Sequence, residues 1–261
     1  MESFKFIGLD LAWASRNNTA AAVIDYKPGN EAGIVTNWLA RLGTNAEILD
    51  FIGNVTYDSS MLIAIDAPLA VPNQSGARGC DLELSKVFRR YEAGTHPANR
   101  TNLGRYGTPP GDIRGETLAR LLAERFGLIH SPFLEAQKPA HQFFECYPHP
   151  AMIVLFGLNK TLKYKRKLRG QDNDRLAAYA EYQNYLANLA QAQPRLIIPT
   201  EILSQDTGAI RGKALKQYED LLDAVMCAYI AFYYWWWGAE KCRVFGNVAE
   251  GHIVTPFFAN K

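Results

Sequence analysis

Apolar residues dominate positions 4–9, FKFIGL, and the run ends on Asp10. The pattern recurs at LIAI (62–65), which ends on Asp66, and at HQFFECYP (141–148), where Glu145 stands near the end of the run before Pro148. Short apolar runs of this kind predict buried strands. TAAAVIDY (19–26) and a segment around 33–41 predict two more, reached by turns at Arg16-Asn17-Asn18 and at PGNEAG (28–33). Three successive strands on short turns predict an antiparallel meander. The spacing of Ile48, Leu49, Phe51 and Ile52 predicts a helix over 45–55, and GETLARLLAERFGL (115–128) reads as an amphipathic helix. Further helices are expected at 81–92, 151–158, 172–192 and 199–204, and a long one at 214–237. The tail, 247–256, reads as a turn and a short strand. The order βββαβ, then loop, α, β and helices predicts an α/β fold with a mixed sheet.

Residues 71–115 break this pattern. They hold Pro72, Pro97, Pro109 and Pro110 and seven basic residues: Arg78, Lys86, Arg89, Arg90, Arg100, Arg105 and Arg114. The segment reads as a long basic loop inserted into a single domain spanning 1–261, and a long ordered loop is uncommon unless it is functional. A second basic cluster, LKYKRKLR, lies at 162–169. Net charge is only +2, so attraction to nucleic acid would come from such patches and not from the whole chain. Cys80, Cys146, Cys227 and Cys242 show no CxxC pairing and read as reduced thiols. The longest apolar run, 224–237, falls short of the roughly 20 residues of a membrane span. With no apolar signal segment at the N-terminus, these features predict a cytoplasmic protein and no membrane partner.

The acids carry the chemistry. Asp10, Asp66 and Glu145 sit at or near strand ends, and Asp220 and Asp223 lie three apart on the last helix, projecting to one side. Carboxylates that converge in a buried place repel and need a counter-charge. A hard divalent cation with oxygen ligands, Mg²⁺ or Mn²⁺, is the usual solution, and two such ions about 3.5–4 Å apart hold both oxygens of a phosphodiester displacement. The basic loop and the 162–169 cluster would supply phosphate-binding cations, with Arg78, Lys163 and Lys165 the candidates. His149, in the YPHP turn, is a candidate to position water or protonate a leaving group.

Each assignment has a structural rival. Asp10 would serve equally as a turn cap, Asp66 as an Asx-type turn before Pro68, Asp220 as a solvated helix residue, and Glu145 as a partner in a core salt bridge. Arg78 reads alternatively as a surface arginine, the lysine cluster as a solvated face and His149 as a loop histidine. The aromatic block FYYWWW (232–237) reads as core or as a contact in a homo-oligomer. His252 reads as structural.

The segments GLDLAW (8–13), IAIDAPL (63–69), ARGCD (77–81), ECYPHPA (145–151), EDLLDAVMCAYIA (219–231) and EGHIVTP (250–256) resemble, in order along nearly the whole chain, the domain-of-unknown-function family 429. The resemblance implies a ribonuclease H-like, five-stranded mixed sheet flanked by helices, with strands one to three antiparallel. It also implies a metal-dependent nuclease site, with Asp10, Asp66, Asp220 and Asp223 as metal ligands and Glu145 as a further ligand or orienting group. A rival is an actin-like ATPase or sugar kinase. Its phosphate loops require Gly, Ser and Thr, whereas the first hairpin here, LAWASRNNTA, contains no glycine. A non-catalytic binding module is the other alternative, favoured if Lys or Arg side chains neutralise the acids.

Overall fold

The computed structural model describes residues 3–14, 16–56, 60–165 and 172–259. Strands β1 (Phe4–Asp10), β2 (Thr19–Tyr26) and β3 (Gly33–Leu42) form the expected antiparallel meander. Helix α1 (Asn45–Val55) follows, started by a capping box in which Thr44 and Glu47 satisfy each other's backbone amides. It leads into β4 (Ser60–Asp66), which lies parallel to β1 in register, Asp10 opposite Asp66.

The segment expected to be a long loop with a short helix at 81–92 holds that helix, starting two residues earlier, and more helix besides. It contains α2 (Gly79–Phe88), α3 (Arg100–Leu103) and the start of α4 (Arg114–Phe126). Strands β5 (Ile129–His130) and β6 (His141–Glu145) come next, then α5 (Pro148–Leu155) and α6 (Asp172–Asn188). Pro148 opens α5 three residues earlier than expected, because a proline fits the first helical turn, where no intrahelical N–H donor is needed. Strand β7 (Leu196–Ile197), α7 (Thr200–Leu203), the long α8 (Gly212–Trp237) and the hairpin β8 (Cys242–Asn247) with β9 (Gly251–Pro256) complete the chain.

The main sheet has seven strands, in the order β5-β6-β4-β1-β2-β3-β7, and not the five expected. The two additional strands, β5 and β7, are two-residue edge strands flanking a central set of five. Strands β4, β1 and β6 run parallel, and both faces of the sheet are covered. Ile7, Leu9, Ile63 and Ile65 face one side with Ile48, Ile52, Leu118 and Leu122 of α1 and α4. Phe4, Phe6, Leu62 and Ala64 face the other, with α8 and α6. That two-sided burial explains why these strands read as continuous apolar runs and not as alternating ones.

Helix α8 is the central post of the second layer; Leu222 and Ala224 through Phe232 are fully buried. The aromatic block 232–237 belongs to the core: Phe232 packs 4.9 Å from Phe6 and 5.2 Å from Tyr26, and Trp235 packs 4.6 Å from Phe4. The position of the helix is set by Gly8, where a Cβ would stand 2.0 Å from the Ala224 carbonyl oxygen and 2.1 Å from the Ala228 nitrogen. Only a residue without a side chain permits that approach. No helix among the described residues is long and apolar enough to cross a membrane.

Candidate active site

Strand periodicity takes the acids to one place. Residues two apart on a strand share a face, so Asp10 follows Phe4, Phe6 and Gly8 toward α8, and Asp66 follows Leu62 and Ala64. Gly8 and Ala64 lie opposite each other and form a low floor under α8. The next pair along the same ladder is Asp10 and Asp66, beneath the helical turn that carries Asp220 and Asp223. Asp10 shares a hydrogen bond with Asp220. Carboxylates from three elements thus come close enough to interact electrostatically.

Their electrostatics differ. Burial, reinforced by Asp220, Asp223 and Asp66, pushes the Asp10 carboxyl well above the usual range, against the pull of Lys165. Burial likewise pushes Asp66 up to about 7, with Lys165 opposing and Asp223 and Glu145 adding. Burial also raises Asp220, although Lys216 bridges it to Glu219 with contacts of 2.6 Å to each. Asp223 is fully buried, and burial works against its ionisation. Lys165, His149 and the Tyr164 hydroxyl nevertheless hold it below the usual carboxylate range. Lys165 Nζ lies 2.7 Å from Asp223 Oδ2, and the Tyr164 and Tyr182 hydroxyls donate to Oδ1 at 2.7 and 3.3 Å.

Asp10, Asp66 and Asp220 lie on the wall of a cleft of about 1100 Å³. Its other walls carry Arg16, Arg89, Lys163, Lys213 and Lys216, with His149 and Tyr147 beside them. Lys163 is tied to Glu92, which also binds Lys160 at 2.6 Å. His149 Nδ1 pairs with Thr161 Oγ1 at 3.0 Å. Residues 166–169 of the basic cluster lie outside the described residues.

The family model described as a protein of unknown function, DUF429, matches residues 8–250. The chain belongs to this family. No curated protein and no solved structure matches it. The DUF429 match spans Gly8, all four aspartates and Lys165, so the whole cluster lies inside the family's region.

Two expected site residues are placed elsewhere. Arg78 is 3% exposed and is not a free phosphate-binding cation on the cleft wall. Its guanidinium binds both oxygens of Glu145 at 2.6 and 2.8 Å and both oxygens of Asp81 at 2.9 and 3.2 Å. Glu145 is 4% exposed, and its Oε2 also accepts the Leu69 amide at 3.0 Å. The pair is the core salt bridge that was Glu145's alternative role, and it anchors the β4 exit, the α2 N-terminus and the end of β6 to one another. Arg114 is likewise buried. It donates to the Ala12 and Gly43 carbonyls at 2.8 and 2.7 Å and so fixes the turn that follows Asp10.

Sequence reasoning missed Lys216, Tyr164 and Tyr182. Lys216 had a signal, since a lysine four residues before Asp220 on a helix faces the same way. The tyrosines had none, because their partner Asp223 lies 59 and 41 residues away along the chain.

Proposed function

We propose that this DUF429 protein is a divalent-metal-dependent phosphodiester hydrolase, a nuclease, on a ribonuclease H-like fold. The observation that carries the reading is the cleft with an acid floor and basic walls: Asp10, Asp66 and Asp220 beneath Arg16, Arg89, Lys213 and Lys216. The central strands support the fold assignment through their order β6-β4-β1-β2-β3, the antiparallel first three, and acids on β1, on its parallel neighbour and on the last long helix.

The donor set fits a hard cation. It is all carboxylate oxygen, and the raised Asp10 and Asp66 mark a site short of positive charge. Asp10, Asp66, Asp220 and Asp223 would hold Mg²⁺ or Mn²⁺. Among the described residues no three acidic, cysteine or histidine side chains stand as a ready ligand set, and the Lys165 ammonium is the cation now facing Asp223. Such an ion supplies charge neutralisation at the phosphate and activation of water. The protein's own groups supply the rest. The basic walls hold the phosphodiester by its oxygens. Asp66, at about 7 without an ion, would give up its proton as the ion binds and so hold that ion as a carboxylate near neutral pH. His149, held by Thr161, stands on the same cleft to give a proton to the leaving oxygen.

One observation favours a second reading. The Lys165–Asp223 ion pair neutralises part of the cluster from within, as a non-catalytic binding module on the same fold would require. Cleavage of branched, single-stranded and hybrid oligonucleotides, with Mg²⁺, Mn²⁺ or EDTA, separates the two. The nuclease reading predicts metal-dependent products from the wild type and none from Asp66→Asn. Equal product from both proteins, or none from either, would contradict it.

A further inference from the structure

Trp13 is 44% exposed in a chain that buries most of its other large aromatic side chains. It sits three residues after Asp10, and three residues of chain span at most about 10 Å. Tyr106 backs its ring, with centroids 5.7 Å apart and planes tilted by 54°. The residue before it is anchored: Arg114 donates to the Ala12 carbonyl, and Thr19 Oγ1 accepts the Ala12 amide at 3.2 Å. The ring therefore stands on the wall of the cleft, with Tyr106 beside it.

Beside Trp13 a niche of about 90 Å³ opens, walled by Pro68, Pro97, Leu103 and Tyr147 and reaching Asp66. Trp13 and Asp66 line both this niche and the large basic cleft. The niche also reaches the buried Arg78–Glu145 pair and His96, so an aromatic and proline wall stands beside polar groups, next to the basic cleft, which matches a base attached to a phosphate. A paired base inside a duplex presents no free face to such a slot.

We infer that an unpaired nucleobase stacks on Trp13 in this niche, so that the ligand of the cleft is single-stranded nucleic acid. The inference deepens the phosphodiesterase reading and rests on it for the role of the neighbouring acids. The stacked base sets the register of the strand and brings the adjoining phosphate over Asp10 and Asp66. The stacking contact is indifferent to base identity, because every base offers a π-face.

The test is fluorescence anisotropy of labelled oligonucleotides in Ca²⁺, with the full-length protein and its Trp13→Ala and Trp13→Phe variants. The probes are a single-stranded 12-mer, the same backbone with abasic sugars throughout, and a blunt duplex. Trp13→Ala is expected to weaken single-strand binding about tenfold, Trp13→Phe to restore most of it, and the abasic strand to bind all three proteins equally weakly. Unchanged melting temperatures would exclude misfolding as the cause. Equal affinity of wild type and Trp13→Ala for the single strand would overturn the inference, as would duplex or abasic binding as tight as single-strand binding. The readout is binding and not turnover. Trp13-dependent binding without metal-dependent cleavage keeps the stacking site and removes the nuclease, and cleavage indifferent to Trp13 does the reverse.

Discussion

Lys165 Nζ lies 2.7 Å from Asp223 Oδ2, so the acid cluster carries a cation of its own. Asp223, Asp10 and Asp66 hold that ammonium well above its usual pKa although burial works the other way. An entering divalent ion and Lys165 therefore compete for the same carboxylates. Lys165→Met should destabilise the metal-free protein by about 3 kcal/mol, the lower end for a broken buried pair, because Lys165 keeps some contact with water. Mn²⁺ should then raise the melting temperature of the variant by more than it raises that of the wild type. An equal or smaller Mn²⁺ shift would show that Lys165 and the ion do not compete.

Arg78 and Glu145 give the opposite kind of prediction. Their contact is buried, bidentate and shared with Asp81, so Arg78→Met strands two carboxylates in the interior. A loss of roughly 3–5 kcal/mol in urea unfolding is expected. A variant of normal stability that only binds oligonucleotides more weakly would return Arg78 to the phosphate-contact role.

Gly8→Ala tests what sets the site's width. The added methyl would meet the backbone of α8 at 2.0 and 2.1 Å, and backbone cannot rotate away as a side chain can. Overpacking of this kind costs about 1–3 kcal/mol or more. Because α8 carries Asp220 and Asp223, the displacement should weaken Mn²⁺ binding as well as lower the melting temperature. A wild-type Mn²⁺ affinity in this variant would separate the helix position from the site.

Asp66 sets a pH dependence. Its carboxyl titrates near 7 in the folded protein, whereas an unfolded aspartate titrates at its ordinary, much lower value. Between these values the folded state holds the extra proton, so Asp66 lowers stability as pH rises, and its cost is complete above about 7. An Mn²⁺ ion favours the ionised form, so Mn²⁺-induced stabilisation should grow from pH 5 to pH 8. Asp66→Asn should flatten that growth in a thermal-shift series. A stabilisation independent of pH in the wild type would count against the assignment.

Much of this was legible in the chain because strong periodicity marked it. FKFIGLD and IAID read as buried strands ending in acids, and 214–237 read as one long helix; β1, β4 and α8 are those elements. The presence of Asp10, Asp66 and Asp220 on one cleft follows from the placement of these elements. The edge strands β5 and β7 were invisible because two residues hold no period. Strand β8 was lost between the aromatic helix and its own turn. Within 71–115 the helix at 81–92 was legible, though the Arg78–Asp81 cap starts it at Gly79, and the four-residue α3 was lost among prolines and glycines. Nothing local told that Arg78 turns inward, since Glu145 lies 67 residues away. Trp13 was passed over because an apolar residue in a turn carries no signal until its exposure is known.

Isothermal titration of Mn²⁺ into the wild type and Asp10→Asn at neutral pH addresses the central claim most directly. Asparagine keeps the size of the aspartate side chain and a hydrogen-bonding group beside Asp220, so the variant should fold as the wild type does. Saturable binding to the wild type and at least tenfold weaker binding to Asp10→Asn is the predicted result. No saturable binding to the wild type, or the same affinity in both proteins, would contradict it.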